Sequence, residues 1–450
     1  MRTRTTYTIQ NPSQFKIQLL QWAQQFREVV FLEGNDYHRK YTSFDAVLAV
    51  GAFTSIETDH INAFAKLNEY QQVTKDWLFG YLSYDLKNDT EQLSSDNYDG
   101  LNFPDLFFFQ PKKVFLIKGD TIELQFLNIC EEESPLTPEG GLKPEGECDD
   151  NLLWKIFACN EFETLNPQPL TRNLLTIQQR ISHESYLDKV TQMLAHIQRG
   201  DIYEANFCME FYAENAVIDP LQTYQKLNAI SNPPFAAYFK NNKQYLLCAS
   251  PERYLRKEGS KIISQPIKGT ARRSTNSAED EQIKQELLAN EKERSENIMI
   301  VDLVRNDLSR TATKGSVTVE ELCGAYTFKQ VHHLISTVAS QLKEGFTAAD
   351  ALKTTFPMGS MTGAPKISAM QIIEKLEETK RGLYSGALGY FTPNGDFDFN
   401  VVIRSILYNA AERYVSFSVG SAITAKATPE SEYDECLLKA KAMRSVLESK

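Results

Sequence analysis

A single lysine, Lys268, stands in the strand-like stretch QPIKGTARR, between a stiff Pro-Ile pair and a permissive Gly-Thr pair. A lysine amine attacks carbon only as the free base, so a nucleophilic role requires enough burial to remove its proton near neutral pH. The apolar neighbours Pro266 and Ile267 are compatible with such burial. The alternative is an ordinary solvated lysine at a turn, because lysines are rarely fully buried.

Two Glu-x-x-Glu pairs have the spacing needed to hold a divalent cation. Glu293 and Glu296 lie in NEKERSENIMIVDL, and Glu432 and Glu435 lie in TPESEYDECLLKAKAM. A spacing of three places both members of a pair on one face of a helix. Carboxylates that converge from two helices suit Mg²⁺, which binds a few carboxylates and completes its octahedron with waters and substrate oxygens. The alternative is two solvated helix faces with Glu–Lys pairs.

Two further features could bind an anion. The stretch FPMGSMTGAPKISAMQIIEKLE predicts a glycine-rich loop, with Gly359 and Gly363, that leads into a helix with Pro365 near its first turn. Such a helix start attracts anions through its free N–H groups and its dipole, although the spacing differs from that of a P-loop. Arg404 in VVIRSI is predicted to lie inside an apolar strand. There it either binds a carboxylate in a bidentate manner or turns outward by strand alternation.

Composition narrows the class of protein. The chain has 450 residues, of which 42% are hydrophobic and 24% are charged, which is typical of globular proteins with two to three domains or one large interwoven unit. A formal charge of −11 argues against nucleic-acid binding. The sequence shows neither a secretory signal nor an apolar run long enough to span a membrane. Seven scattered cysteines without a CxxC pair predict a reduced, cytoplasmic protein without a disulfide framework or zinc site.

The order of predicted elements indicates an α+β fold. The acidic, Pro/Gly-rich stretch 130–151 predicts a surface loop, which divides the chain into a region 1–150 and a second region 151–450. ISHESYLDKVTQMLAHIQRGD predicts a helix that begins after Ser182 and ends at Gly200. One long helix is predicted over about 277–304, and a last one from about Pro429. Hairpin-like strand pairs outnumber the helices, which predicts large antiparallel sheets.

The order of the motifs resembles that of the chorismate-utilising enzymes. The motifs are GDIYEANF, SPERYL, PIKGTARR, ENIMIVDLVRND, HLIST, FPMGSMTGAPKISAMQIIEKLE, SGALGYF, VVIRSI and ESEYDECLLKA. They cover about 183–447 densely, and WLFGYLSYDL and FPDLFFF extend the resemblance more weakly into the first region. The resemblance implies a sandwich-like core of antiparallel sheets with helices packed outside, as in anthranilate synthase component I, and two interwoven regions. It also implies Mg²⁺ as cofactor and chorismate as substrate.

Lys268 indicates one group of enzymes within that family. Pro-Ile-Lys-Gly-Thr resembles aminodeoxychorismate synthase component I, whereas anthranilate synthases usually have alanine at the lysine position. The resemblance implies that Lys268 attacks C2 of chorismate and expels the C4 hydroxyl, and that ammonia then adds at C4 and expels the lysine. The alternatives are an anthranilate synthase component I and a non-catalytic chorismate-binding subunit. The joint presence of Lys268 and four glutamates disfavours the second.

The resemblance also implies two protein partners. The chain has no G-x-C-x-G glutaminase elbow, so ammonia is expected from a separate glutaminase subunit. A separate lyase is expected to remove pyruvate and release p-aminobenzoate for folate synthesis.

Roles for individual residues follow from the same resemblance. The expected catalytic residues are Lys268, Glu252 as a general acid, His333 near the departing hydroxyl, and Thr362 facing the ring. The expected substrate-binding residues are Arg404, Tyr384, Lys439, Gly363 and the backbone of Gly420, Ser421 and Ala422. The expected Mg²⁺ ligands are Glu296 and Glu435, with Glu293 and Glu432 as inner-shell or water-mediated helpers. Nearby cations are expected to help keep Lys268 unprotonated.

The sequence departs from the family pattern at Glu204 and in GSAI. Glu204 stands where the aminating enzymes usually have glutamine and the water-using enzymes a lysine, which disfavours isochorismate and salicylate synthesis. Ser421 and Ala422 replace residues of a usually glycine-rich run. FLEGND resembles the tryptophan-binding element of anthranilate synthases only loosely, so feedback by tryptophan is not predicted.

Overall fold

The structure is a computed structural model, and it describes residues 1–35, 37, 40–128, 156 and 175–448. The predicted loop at 130–151 and the predicted boundary at 150 lie outside the described residues. The described strands are β1 Arg2–Thr8, β2 Glu28–Glu33, β3 Ala46–Thr58, β4 Leu78–Leu82, β5 Leu106–Lys118, β6 Thr121–Leu127, β7 Gln178–Gln179, β8 Glu204–Ala213, β9 Phe235–Asn241, β10 Gln244–Ser250, β11 Arg253–Glu258, β12 Lys261–Gln265, β13 Ile267–Arg272, β14 Thr318–Thr327, β15 Val331–Gln341, β16 Gly363–Ala364, β17 Ala387–Phe391, β18 Phe397–Val401, β19 Ser405–Asn409 and β20 Tyr414–Thr424. The described helices are α1 Pro12–Ala23, α2 Ala63–Thr74, α3 Lys87–Thr90, α4 His183–Arg199, α5 Pro220–Ser231, α6 Ser277–Ala289, α7 Glu291–Ser309, α8 Ala348–Thr355, α9 Lys366–Leu376 and α10 Pro429–Glu448.

All twenty described strands belong to one network of antiparallel pairs, which confirms the predicted α+β class with large antiparallel sheets. Pairing runs without a break from β8 through β20, β19, β10, β9, β2, β3, β5, β4, β17, β18, β11, β12 and β15 to β13. The strands before the 130–151 stretch form one block of this path, from β2 to β4, and later strands continue the path at both ends of the block, because β2 pairs with β9 and β4 pairs with β17.

Two apolar clusters hold the sheet network and its helices together. One cluster joins side chains of β2, β9 and β10, including Phe239 and Leu246, to aromatic side chains of β4 and β5, including Phe79 and Phe109. Strands that are not hydrogen-bonded to each other therefore face one another across a shared core, as Tyr81 of β4 and Phe239 of β9 do, in agreement with the sandwich-like expectation. The other cluster packs α1, α4, α5, α9 and α10 against the outer face of β8, β9 and β20. No helix in the described part of the chain is long and apolar enough to cross a membrane.

The helix predictions had mixed outcomes. The helix after Ser182 is confirmed as α4: the Ser182 hydroxyl accepts a hydrogen bond from the amide of Ser185 (3.2 Å), and Gly200 ends the helix at φ 83°. The prediction of one helix over 277–304 is wrong, since α6 and α7 are separated at Asn290. Asn290 has extended backbone (φ −69°, ψ 108°), and its side chain accepts from the amide of Glu293 (3.1 Å), so it caps a new helix.

The placement of Arg404 inside a strand is also wrong. Arg404 lies between β18 and β19 with a left-handed φ of 53°. The apolar run VVIRSI resembled a continuous strand because backbone conformation is not visible in residue types. The bend turns Arg404 out of the alternation that a strand would have imposed.

Candidate active site

Lys268 lies in a β-bulge of β13. The register between β13 and β15 shifts by one residue between Ile267 and Thr270, and Gly269 adopts a φ of 97°. The Lys268 amine lies 2.5 Å from Glu204 Oε1 of β8, and the two side chains are 12% and 2% exposed. β13 and β8 stand at opposite ends of the path of paired strands. Their contact therefore joins the two ends of the sheet network at one site.

The charge state of Lys268 differs from the expectation. Burial would lower the pKa of its amine, but attraction to Glu204, the hydrogen bond to that carboxylate, and the charges of Glu296 and Glu435 outweigh burial and raise it. Lys268 is thus an ammonium in this structure. The expectation that nearby cations keep it neutral is wrong, because its nearest charged neighbour is a carboxylate. The lysine must pass a proton to an acceptor before it can attack carbon.

Glu204 is held in place by strands on both of its sides. β8 pairs with β20 on one side and with β16 on the other, where Ala364 lies opposite Glu204. A Cβ at Gly363 would lie 2.1 Å from the Glu204 carbonyl oxygen, so a glycine is required at this close approach. Close packing against β8 therefore explains why residue 363 is a glycine. The substrate-binding role that the resemblance implied for Gly363 is a separate expectation.

The four glutamates of the two pairs approach the Lys268 site from two helices. Glu293 and Glu296 lie on α7, and Glu432 and Glu435 lie on α10. Burial, together with the charges of Glu204 and Glu293, raises the pKa of Glu296 to about 7, although Lys268 opposes this rise. Burial and the charge of Glu435 also raise the pKa of Glu293 and of Glu432. The carboxylates therefore repel one another across a shared space.

These carboxylates fit Mg²⁺ chemically, although they are not arranged around a common centre. In the described residues, no group of three or more His, Cys, Asp or Glu side chains is close enough to hold a metal ion. Glu435 is bound to Lys439 (2.6 Å), and this attraction outweighs burial and lowers its pKa. Negatively charged carboxylates that repel one another can serve as oxygen ligands of a divalent cation, and the cation would relieve the repulsion. Glu435 would have to leave Lys439 to act as a ligand.

A cationic pocket lies beside these carboxylates. Arg404, His333 and Lys439 line it together with Pro251 and Phe328. Within the described chain, the Arg404 guanidinium forms neither a hydrogen bond nor an ion pair, and burial lowers its pKa. A half-buried, unpaired guanidinium is well suited to bind a carboxylate of a ligand.

His333 is neutral in this pocket. Burial and the positive charge of Arg404 lower its pKa to about 3. Its Nδ1 lies 2.9 Å from the Thr270 hydroxyl and 3.3 Å from the carbonyl oxygen of Gly269. Because a carbonyl oxygen can only accept, Nδ1 carries the proton and Nε2 is left as an acceptor. His333 can therefore accept a hydrogen bond from a substrate hydroxyl.

Glu252 has the properties of a general acid. The Ser360 hydroxyl donates to its carboxylate (2.7 Å), and burial raises its pKa to about 7. A carboxyl group with such a pKa carries a proton for much of the time at neutral pH and can give it to a departing oxygen. Ser360 was not identified from the sequence, although it lies in the predicted glycine-rich loop.

Thr362 and Tyr384 are both buried. The Thr362 hydroxyl donates to the carbonyl oxygens of Met358 and Gly359, at 3.3 Å each, within its own loop. The Tyr384 hydroxyl lies 3.9 Å from the Cys208 sulfur, and burial raises the pKa of the phenol well above its usual range. Tyr384 therefore contacts β8 as a neutral phenol, whereas the Thr362 hydroxyl is engaged with its own backbone.

The backbone of Gly420, Ser421 and Ala422 divides between two directions. All three residues lie in β20 and pair with β8. Lys439 donates to the Gly420 carbonyl oxygen (2.7 Å), and the opposite residue, Cys208, donates its amide to a side chain outside the sheet. The backbone N–H and C=O groups of Gly420 therefore point away from β8, and so do those of Ala422, two residues further on. The backbone groups of Ser421 point toward β8. The amides of Gly420 and Ala422 face away from the ladder; that of Ser421 is used in it.

A buried ion pair behind the site was not identified from the sequence. Arg381 donates to both carboxylate oxygens of Glu377, to the Met361 carbonyl (2.6 Å) and to the Asn206 carbonyl (2.7 Å). It thereby joins the glycine-rich loop to the strand that carries Glu204. The i,i+4 spacing of Glu377 and Arg381 was the available signal, but that spacing usually indicates a surface pair.

Asn297 is a second residue that the sequence did not single out. Its side-chain amide donates to the carbonyl oxygens of Lys268 (3.0 Å) and Leu334 (3.2 Å). It follows Glu296 directly in α7, so the helix that carries two of the glutamates also fixes the backbone of the lysine. The signal was a polar residue at the start of the apolar run NIMIV.

Comparisons with known proteins identify a family that matches most of the chain. The family model described as chorismate binding enzyme matches residues 27–445. The chain is 34% identical over 393 residues to an anthranilate synthase component I-like protein of Synechocystis sp., with 86% of this chain and 76% of that protein covered. It is 32% identical over 369 residues to aminodeoxychorismate synthase component 1 of Bacillus subtilis, with 82% of this chain and 76% of that protein covered. Identity alone therefore does not choose between the two names.

A solved structure shows the same fold. Anthranilate synthase component I from Streptococcus pneumoniae superposes with a TM-score of 0.72 at 25% identity, and the match covers 91% of this chain and 94% of that one. The menaquinone-specific isochorismate synthase MenF from Escherichia coli superposes with a TM-score of 0.74 at 16% identity, covering 99% of this chain and 94% of that one. The second comparison concerns the fold alone.

Proposed function

The chain belongs to the chorismate-binding enzyme family, and we propose that within it this protein is an aminodeoxychorismate synthase component I. Such an enzyme converts chorismate and ammonia to 4-amino-4-deoxychorismate. The observation that carries the proposal is the buried Lys268 amine, placed against Glu204 and beside the glutamates of α7 and α10. A solvated turn lysine would have no such surroundings.

Each side chain of the site has a task in this reaction. The Arg404 guanidinium, with the amides of Gly420 and Ala422, would bind carboxylates of chorismate. The Lys268 amine, once it has lost a proton, would attack C2 while the double bond shifts and the C4–O bond breaks. Glu252 would give the departing hydroxyl its proton, and His333 Nε2 would orient that hydroxyl. Ammonia would then attack C4 and release Lys268.

Mg²⁺ is the proposed cofactor. Glu296 and Glu435, helped by Glu293 and Glu432, would hold it, and its charge would offset the repulsion between these glutamates and a substrate carboxylate.

We further propose two protein partners and a cytoplasmic location. Component I proteins among the relatives are named as one component of an enzyme, which supports a separate component II. We assign to that subunit the hydrolysis of glutamine to ammonia, and to a separate lyase the release of p-aminobenzoate for folate synthesis. The four described cysteines are free and buried, which supports a cytoplasmic enzyme.

The product of the reaction tests the proposal. The protein is incubated with chorismate, Mg²⁺ and a high concentration of ammonium, with and without added lyase. We expect p-aminobenzoate only after the lyase is added. Anthranilate fluorescence without lyase would instead establish the anthranilate synthase alternative, which the Synechocystis relative supports by name. Binding of chorismate without turnover, under both conditions, would establish a non-catalytic subunit.

Replacing Arg404 by alanine should raise the KM for chorismate. A hydrogen bond to a charged group contributes about 1.5–3 kcal/mol, so the expected increase is roughly 10–100-fold. The matched control is Arg305→Ala, which removes an exposed helix arginine paired with Asp302 and should leave KM unchanged. Equal KM values for Arg404→Ala and the wild type would exclude the carboxylate-binding role.

Replacing Glu435 by glutamine should weaken the binding of Mg²⁺, so that turnover requires a higher Mg²⁺ concentration. The substitution removes a ligand charge, and the half-saturating Mg²⁺ concentration is expected to rise roughly 10-fold or more. Turnover is measured against Mg²⁺ concentration at saturating chorismate. Glu448→Gln serves as the control, since Glu448 lies on the same helix and pairs with Arg444. An identical Mg²⁺ titration for Glu435→Gln would show that Glu435 is not a ligand.

A further inference from the structure

Glu204 is a buried carboxylate with one unused oxygen. The residue is 1% exposed, its Oε1 bonds Lys268, and its Oε2 has no hydrogen-bond partner among the described residues. A buried ionised oxygen without a donor is costly, so a merely structural ion pair would be expected to satisfy both oxygens. Oε2 is therefore a position at which a ligand with N–H donors would gain a strong hydrogen bond.

The surroundings of Glu204 favour a small cation over a neutral molecule. The charged groups that act on the Lys268–Glu204 pair are the carboxyl groups of Glu252 before β11, Glu293 and Glu296 on α7, and Glu435 on α10. Lys268 is the one cation within hydrogen-bond distance of Glu204 in the described chain. An ammonium group is thus already stabilised beside this carboxylate, in the form of the lysine side chain.

We propose that Glu204 binds the nitrogen co-substrate as ammonium and accepts its proton, so that ammonia is generated beside the carbon that it attacks. This inference rests on the proposed function, because it concerns the second half of that reaction. Ammonium has four donors and no acceptor, and it matches the unpartnered oxygen of a carboxylate whose other oxygen holds an alkylammonium.

The protons and electrons balance over the two halves. In the first, the Lys268 ammonium loses one proton, its lone pair forms the N–C2 bond, the double bonds shift and the C4–O bond breaks. Glu252 protonates the departing hydroxyl to water, and the proton lost by Lys268 restores Glu252. The adduct is a secondary ammonium. In the second, ammonium gives a proton to Glu204, and the lone pair of ammonia forms the C4–N bond. The C2–N bond then breaks, and Lys268 leaves as an amine that takes the proton from Glu204. The resting ion pair is thereby restored, and the product carries a C4 ammonium.

The first test uses binding alone. Lys268→Ala leaves Glu204 without its cation and opens the volume of the lysine side chain. The Tm of this variant is measured at equal ionic strength in ammonium, sodium and potassium chloride. We expect ammonium to raise the Tm by about 2 °C or more over both other salts, through preferential binding to the folded state. The double variant Lys268→Ala/Glu204→Gln should lose this selectivity. Equal Tm values in the three salts would overturn the proposal.

The second test keeps Lys268 and uses turnover, in case Lys268→Ala does not fold. Glu204→Gln preserves the shape of the side chain but removes its charge. The KM for ammonium is expected to rise at least 10-fold, while the KM for chorismate changes less than 2-fold. An unchanged KM for ammonium, or an equal rise in both KM values, would overturn the role of Glu204. Failure of the wild type to consume chorismate would overturn the proposed function instead, and the Tm measurement would still decide whether Glu204 binds ammonium.

Discussion

Replacing Lys268 by alanine is expected to abolish the formation of aminodeoxychorismate. The variant lacks the nucleophile of the first displacement, and losses of at least about 10³-fold are usual when a covalent nucleophile is removed. The product is measured as p-aminobenzoate after addition of lyase. A second readout is direct: wild-type protein mixed with chorismate and no ammonium should gain the mass of chorismate less one water, and the variant should not.

Controls separate chemistry from folding in this experiment. Lys268→Ala leaves Glu204 buried without its partner, which costs about 3–5 kcal/mol of stability. Lys268→Ala/Glu204→Gln removes both charges and should unfold at a higher temperature than the single variant while remaining inactive. Lys261→Ala is the matched control, because Lys261 lies on the adjacent strand β12 and pairs with Glu320 outside the site. Unchanged turnover of Lys268→Ala would exclude the covalent mechanism.

Replacing Arg381 by alanine is expected to cause a loss of stability as large as that of Lys268→Ala, although Arg381 takes no part in the proposed chemistry. Arg381 is 5% exposed and bonds Glu377 and the carbonyl oxygens of Met361 and Asn206. Its removal leaves two buried carbonyl oxygens without this donor and the buried Glu377 carboxylate with the Cys208 amide but no cation, which is expected to cost about 3–5 kcal/mol. The midpoint of urea unfolding measures this change.

An exposed arginine provides the comparison. Arg444 pairs with Glu448 at the same i,i+4 spacing, but its side chain is 42% exposed. Arg444→Ala is expected to change the stability by about 0.5 kcal/mol or less, because water replaces the lost partner. The two arginines have the same spacing from their glutamate partners, so the expected difference in stability loss comes from burial. Equal shifts in the unfolding midpoint for the two variants would show that the Arg381 network does not stabilise the fold.

Local patterns in the sequence were sufficient to predict the ends of a helix that has clear capping residues at both ends. Ser182 and Gly200 bound α4 where predicted, because capping depends on a few neighbouring residues. The predicted helix over 277–304 was wrong at Asn290, which is compatible with either a helix interior or a cap. Arg404 was misplaced for a related reason: an apolar run predicts a strand, and one left-handed residue within it leaves no clear trace in the composition.

Long-range contacts decided the properties of the site itself. The sequence by itself determined the family, the α+β class and the residue types of the site, because these depend on motifs and on local periodicity. Only the tertiary structure decided that Lys268 faces Glu204 and is charged, that Glu435 is held by Lys439, and that the amide of Ser421 is used by β8. Lys268 and Glu204 are 64 residues apart and belong to opposite ends of the path of paired strands. A pKa depends on distance through space and on burial, and neither quantity is fixed until the sheet network has closed.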